Sequence, residues 1–225
     1  KNAEAQNLLS KWDYKLEPNS IEAAIYVAWE NEIKISARKY FVPESVNDNI
    51  LYFQMKTIID FIENPDSNFE TNATISRDLF LKDAFENAIN QLETNLGPDM
   101  SKWQYGQEKF KHTYMAHTLG NSVNATTKAK LDLGPLPRGG NSYTPGSTGG
   151  FNNQSSGASF RMIVNTGDWD AAIGTNGPGQ SGDPDSPFYS NLFEPWAKDQ
   201  YFPVYYSREK IDSVTVNSYI LKPKN

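Results

Sequence analysis

The chain has no cysteine. That excludes disulfides, CxxC redox chemistry, thiolate metal sites and a cysteine nucleophile. Histidine is nearly as scarce, with His112 and His117 the only two. So few imidazoles leave little room for a histidine metal site or a Ser-His-Asp triad. Runs of lysine and arginine are missing, and the net charge is -6. Nucleic-acid binding, which needs clustered cations on phosphates, is therefore not expected. No apolar run approaches the ~20 residues of a membrane-spanning helix, so no membrane partner is expected. Lys1 opens a polar segment rather than the apolar stretch of a signal peptide.

What is present suffices for a folded protein. The 225 residues, 38% hydrophobic and 21% charged, allow one large domain or two small ones. Twelve tyrosines, twelve phenylalanines and five tryptophans supply core material first and ligand-binding surface second.

The two halves read differently. Residues 3–12 predict a helix with Leu8, Leu9 and Trp12 on one face. A second helix follows Pro18-Asn19-Ser20, with Asn19 as its expected cap and Glu22 completing a capping box. Its apolar stripe is Ile21, Ala24, Ile25, Ala28, Trp29 and Ile33, and Pro43 ends it. A third helix is expected over 44–63, through Leu51, Met55, Ile58, Ile59 and Ile62. A fourth is expected over 76–96, stopped by Gly97-Pro98. Beyond residue 117 glycine, proline, asparagine, serine and threonine dominate. Strands are expected at 158–164, 169–173 and 214–221, an extended piece at 131–137, and a short helix at 188–196 broken at Pro195.

Several motifs invite a chemical reading, and each has a plainer one. Gly177-Pro178-Gly179-Gln180-Ser181-Gly182 matches GxGxxG, but it runs into proline-rich sequence where a dinucleotide loop needs a helix. Ser181 is not in a GxSxG elbow, and turn chemistry accounts for its neighbours. Asp168, Asp170, Asp183 and Asp185 suggest calcium only loosely, since the EF-hand spacing is absent; turn capping is the favoured reading. His112 and His117 are five residues apart, not the i, i+4 of helical zinc ligands, and read as structural. Asn72-Ala73-Thr74 and Asn124-Ala125-Thr126 are glycosylation sequons.

One longer pattern is far more specific. It runs Gly157-Ala158-Ser159-Phe160-Arg161, then Gly167-Asp168-Trp169-Asp170, then 176–189 around Pro178-Gly179-Gln180-Ser181-Gly182, then Trp196, Tyr201 and Pro203. It resembles the C-terminal signature of the penicillin acylase family, with Phe188 where that family usually has histidine. Upstream, Leu8-Leu9, Trp12-Asp13, Ser20, Ala23-Ala24 and Trp29 resemble an LLxxWDG…S…A…W segment, with Tyr14 for glycine. Leu92 to Gly97 with Trp103, Tyr105, Gly106 and Phe110, then His117-Thr118-Leu119, then Gly134-Pro135-Leu136-Pro137-Arg138-Gly139-Gly140 with Thr144, follow in the family's order. Asn141 stands for its aspartate.

The resemblance implies an N-terminal-nucleophile hydrolase: a precursor cleaves itself, and the serine that opens the new β-chain attacks an amide carbonyl with its own α-amine as base. It implies an α+β fold, with residues 1–117 a helical subdomain and 118–225 the C-terminal strands of an αββα sandwich, together an incomplete fragment. The nucleophile, the oxyanion asparagine and the calcium ligands of a full-length member lie upstream of the matched region. Lys1 has no hydroxyl, and Gly146-Ser147 leaves too few strands after it to be a cleavage junction. No catalytic, cofactor-binding or metal residue is therefore assigned. The expected partners are the remaining segments of the same precursor, or a second copy. The expected location is periplasmic or extracellular, and the expected substrates are N-acyl amides such as β-lactam side chains or acyl-homoserine lactones. The competing reading is a non-catalytic binding or scaffold module of the same fold.

Overall fold

A computed structural model describes residues 1–50, 53–70 and 72–223. The chain forms two compact units, residues 1–111 and 112–225.

The first unit is helical. It contains α1 (Asn2–Leu9), α2 (Ile21–Phe41), α3 (Met55–Glu63) and α4 (Ala73–Leu96). Helices α2 and α4 form its centre, and their apposed faces carry Ala23, Ala24, Ala28, Ala84 and Ala88, all buried. Small side chains let two helices approach closely. Ile25, Phe85, Ile89 and Leu92 then fill the space beside them. Trp29 ties the pair together. Its ring meets Phe85 edge-on at 5.3 Å, and its Nε1 donates to the Leu81 carbonyl at 3.1 Å. A second cluster of Ile33, Ala37, Ile58, Phe69 and Phe80 packs α3 against the far ends of α2 and α4.

The second helix is capped by Ser20, not by Asn19. Ser20 Oγ accepts from the Ala23 amide at 3.0 Å and donates to Glu22. The expected helix over 44–63 is two pieces, a 3₁₀ turn at Glu44–Asn49 and then α3. Arg38 explains the first piece by donating to both the side chain and the carbonyl of Asn47, each at 2.7 Å. Leu51 falls outside the described residues. Gly97 does end α4, at φ 95° and with its amide on the Glu93 carbonyl.

A strap closes this unit. Trp103 and Tyr105 are fully buried, and the Tyr105 and Gly106 amides donate to the Ser20 and Pro18 carbonyls. Lys111, itself buried, ends the strap near Glu30.

The second unit has less regular structure. Strands β1 (His112–Met115) and β2 (Leu133–Pro137) pair antiparallel, and α5 (Ala125–Leu131) lies between them in sequence. Strands β3 (Arg161–Ile163), β4 (Ile173–Thr175) and β5 (Phe202–Pro203) form an antiparallel sheet in that order. The strand expected at 158–164 is thus three residues long. The one expected at 169–173 is a 3₁₀ turn, Trp169–Ala171, because the Asp168 carboxylate accepts the Asp170 amide. The pairing moves on to β4. The helix expected at 188–196 is α6 (Phe193–Ala197), with Pro195 inside its first turn, where no amide donor is required.

The terminal strand expected at 214–221 does not form. Residues Arg208–Val214 make α7, and 215–223 follow without regular structure. Ser207 caps α7, and Asp170 Oδ1 accepts the Tyr206 and Ser207 amides at 2.8 Å each. A strand needs a neighbour to pair with, whereas this helix is set locally by its cap.

Two outcomes test this packing. Burial pushes the Lys111 ammonium down to about 8 from its ordinary 10.5, with Glu30 opposing. Between those values the unfolded chain binds more protons than the folded one, so stability rises with pH. Chemical denaturation should show the first unit gaining about 1–2 kcal/mol from pH 8 to 9.5, and Lys111→Met should flatten the gain. Above pH 10 the slope should reverse, because Tyr105 is pushed upward by burial and Glu30 while its unfolded counterpart ionises. In the second unit, Arg138→Ala should cost about 3 kcal/mol, since it strips a buried cation from its acceptors. A lower denaturation midpoint, followed by tryptophan emission in wild type and variant, reads that change.

Candidate functional site

The glycine-rich run at 177–182 and the residues that hold it form the most constrained place in the second unit. Gly177 lies on the Trp196 ring: a Cβ there would sit 3.1 Å from the ring's Cγ. Gly179 is tighter, its Cβ position only 2.3 Å from the carbonyl oxygens of Phe188 and Tyr189. The Gln180 and Ser181 amides both donate to the Phe188 carbonyl, at 2.9 and 3.1 Å, and the Leu192 amide donates to Pro178 at 3.1 Å. The run is folded back on the residues that follow it.

Trp196 is 1% exposed, and its Nε1 donates to the Ala158 carbonyl at 3.0 Å. Two guanidiniums lie over its ring, Arg138 at 4.8 Å and Arg161 at 5.5 Å. Arg138 is 2% exposed and donates to the Trp196 and Ala197 carbonyls at 3.0 and 2.6 Å and to Asp199 at 3.1 Å. Arg161 donates to the Trp196 carbonyl at 2.7 Å and also reaches Asp199. Asp199 takes the left-handed region, at φ 53°, to present its carboxylate to both cations. Burial, and then the neighbouring Arg161, lower the Arg138 pKa, while Asp199 holds it up. The knot therefore joins four sequence motifs: the loop of Arg138, the strand of Arg161, the glycine run and the helix of Trp196.

A second polar cluster fixes the turn between β1 and β2. Asp132 accepts from Lys128, from the Tyr114 hydroxyl and from the His117 amide. Those donors, Lys128 foremost, draw its carboxyl down to about 2. The stabilisation is complete above the ordinary 3.8 and is lost as pH falls toward 2.

The residues singled out from sequence do not converge. Ser181 Oγ accepts the Asp183 amide at 3.1 Å. His117 Nδ1 caps a 3₁₀ turn by accepting the Leu119 amide. His112 stands in β1, where its Nδ1 has no partner among the described residues. Asp183 accepts the Asp185 amide, and Asp185 pairs with Lys130 at 2.8 Å. Asp168 and Asp170 serve the turns before β4 and α7. Among the described residues no three His, Cys, Asp or Glu are placed to share a metal ion. Asn124 caps α5 through the Thr127 amide, and Asn72 stands exposed at φ 63°. Ser147 is exposed at φ 40°.

Sequence reasoning missed the roles of Arg138, Arg161 and Asp199. The available signal was a lone arginine inside each glycine-rich motif, with an aspartate three residues after a tryptophan. It gave no hint that all would meet on one ring.

The chain is 29% identical over 239 aligned residues to acyl-homoserine lactone acylase QuiP of Pseudomonas fluorescens, covering 95% of this chain and 27% of that protein. Against the protein of the same name from Pseudomonas aeruginosa the identity is 28%, over 95% of this chain and 28% of the relative. Against that from Pseudomonas syringae it is 27%, over 89% and 26%. The chain thus spans about a quarter of the length of these relatives. The family model for penicillin amidase matches residues 1–213, and the chain belongs to that family.

Proposed function

We propose that this chain is the structural C-terminal part of a longer amide (N-acyl) hydrolase of the penicillin acylase type, inactive without the rest of that protein. The observation that carries the reading is the family match across 1–213 in a chain that spans 27% of an acylase of that family. The chemistry agrees with it. Ser181 and His117 are each engaged in a turn or cap.

On this reading the missing segments supply the serine nucleophile, the oxyanion donors and any calcium ligands. The first unit is the helical insert beside the αββα sandwich, and the second contributes strands at its edge. The substrate is an N-acyl amide. An acyl-homoserine lactone is the first to test, because the relatives are named for it. The location is periplasmic or extracellular.

The partner is the remainder of the same precursor. Edge strand β3 leaves Met162 and Ile163 at least half exposed, and Val216, Tyr219, Ile220 and Leu221 are more than four-fifths exposed. Unpaired edges and bare apolar residues favour association. Sedimentation should show the isolated chain self-associating, and a stable monomer at micromolar concentration would count against the reading.

Activity separates the hydrolase from a scaffold module. The purified chain should release no acyl group from an N-acyl-homoserine lactone or a chromogenic amide, whereas the full-length protein should. In that full-length protein Ser181→Ala should keep kcat, since only a turn bond is lost. Gly179→Ala should lower the yield of folded enzyme, at a cost of at least about 2 kcal/mol, because backbone carbonyls block a methyl there. A full-length protein without activity would favour the module.

A further inference from the structure

The signature loop contains the chain's one Asn-Gly pair, Asn176-Gly177. Glycine leaves its peptide nitrogen unshielded on both sides. Here that nitrogen also lies against the preceding side chain, since the Gly177 amide donates to Asn176 Oδ1 at 3.0 Å. Among the described residues it makes no other hydrogen bond, because β4 ends at Thr175. Asn176 is half-buried, and the loop beyond it is fixed by Trp196 and Phe188. The hydrogen bond keeps the nucleophilic nitrogen beside the carboxamide whose carbon, Cγ, it would attack, so only a small side-chain rotation separates the two from reaction.

We propose that Asn176 is a self-modification site, at which the Gly177 nitrogen attacks the Asn176 carboxamide to give a succinimide. A bond forms from the Gly177 nitrogen to Cγ, the Cγ–Nδ2 bond breaks, and ammonia leaves with the proton from the peptide nitrogen. Water then opens the ring. Cleavage on the Cγ side gives aspartate; cleavage on the main-chain side gives isoaspartate. No oxidant, metal or second enzyme is needed.

The consequence falls on the knot. Isoaspartate lengthens the backbone by one carbon immediately before Gly177, whose Cβ position is 3.1 Å from the Trp196 ring. Arg138 and Arg161 also lie over that ring, so the lengthened loop must shift against it. Modification therefore loosens the loop that marks the family.

Four Asn-Ser pairs provide internal references: Asn19, Asn121, Asn141 and Asn217, the last in the exposed tail. The purified chain is held warm at mildly alkaline pH, folded in one sample and in guanidinium in another. Peptide mapping then follows ammonia loss and isoaspartate at each asparagine. In the folded sample Asn176 should be the first to convert, ahead of Asn217, at a rate within about tenfold of the denatured one. Trp196 emission should change in step with the converted fraction, and Asn176→Gln should remove both signals while the Asn-Ser sites react as before. Folded protein in which Asn217 converts while Asn176 stays intact would overturn the proposal. So would conversion at Asn176 with Trp196 emission unmoved.

Discussion

Two arginines share one tryptophan ring, and the second unit is arranged around that fact. Like charges so close repel, and burial in a poor dielectric makes the repulsion worse. The arrangement persists because the Trp196 and Ala197 carbonyls, the Asp199 carboxylate and the ring's negative face all point at the cations. Each partner explains another. Asp199 takes an unfavourable backbone conformation because the two guanidiniums need a carboxylate there. Gly177 lies so close to the same ring that a Cβ would come within 3.1 Å of its Cγ. Remove Arg138 and the Ala197 carbonyl loses its guanidinium donor, while the Trp196 carbonyl and Asp199 are left to Arg161 alone.

The two units reach stability by different routes. The first buries an apolar seam lined with alanines and filled by Phe85, Ile89 and Leu92. Shape decides most of its packing, and the buried charges are Glu30, Glu32 and Lys111. In the second unit Arg138, Thr113, Thr148, Gln154 and Thr175 are buried. Thr148 donates to Gln154 at 2.8 Å, and the Arg138 carbonyl accepts from Gln154 at 3.4 Å. This core is held by hydrogen bonds beside buried area, although Thr113 Oγ1 and Arg138 Nε have no partner among the described residues. It is unforgiving, since one missing partner strands another. Some of its apolar residues are buried, among them Phe193 and Trp196, while others lie outside on β3 and along the tail.

This difference decides how much of each unit was legible in the sequence. The period of α2 and α4 could be read directly, because a helix carries its own hydrogen bonds and its apolar stripe repeats locally. Boundaries failed where a side chain intervened. Ser20 outcompetes Asn19 because its hydroxyl reaches the Ala23 amide, and Arg38 holds Asn47 in a turn. In the second half strand periodicity misled. Val214, Val216 and Ile220 alternate as a strand should, yet Asp170 and Ser207 organise the preceding residues into α7. Alternation can be seen in one segment, but a strand exists only with its neighbour. Strand β1 was missed for the converse reason: its pairing with β2 supplies what its four residues do not display.

The glycine run shows why a motif can name a family and still not perform its chemistry. Read alone, Gly177 to Gly182 resembles a phosphate loop or a serine elbow. Both readings require free backbone amides or an activated hydroxyl. The amides of Gln180 and Ser181 are spent on the Phe188 carbonyl, and the Ser181 hydroxyl on Asp183. What the sequence must preserve here is absence. Gly179 has two carbonyl oxygens where a methyl would stand, so no other residue fits without moving the backbone. A constraint of that kind makes a recognisable signature, because close approach is harder to satisfy in other ways than a turn is. The same tightness leaves no room at Gly179 for a substrate atom. The run is therefore a joint of the fold.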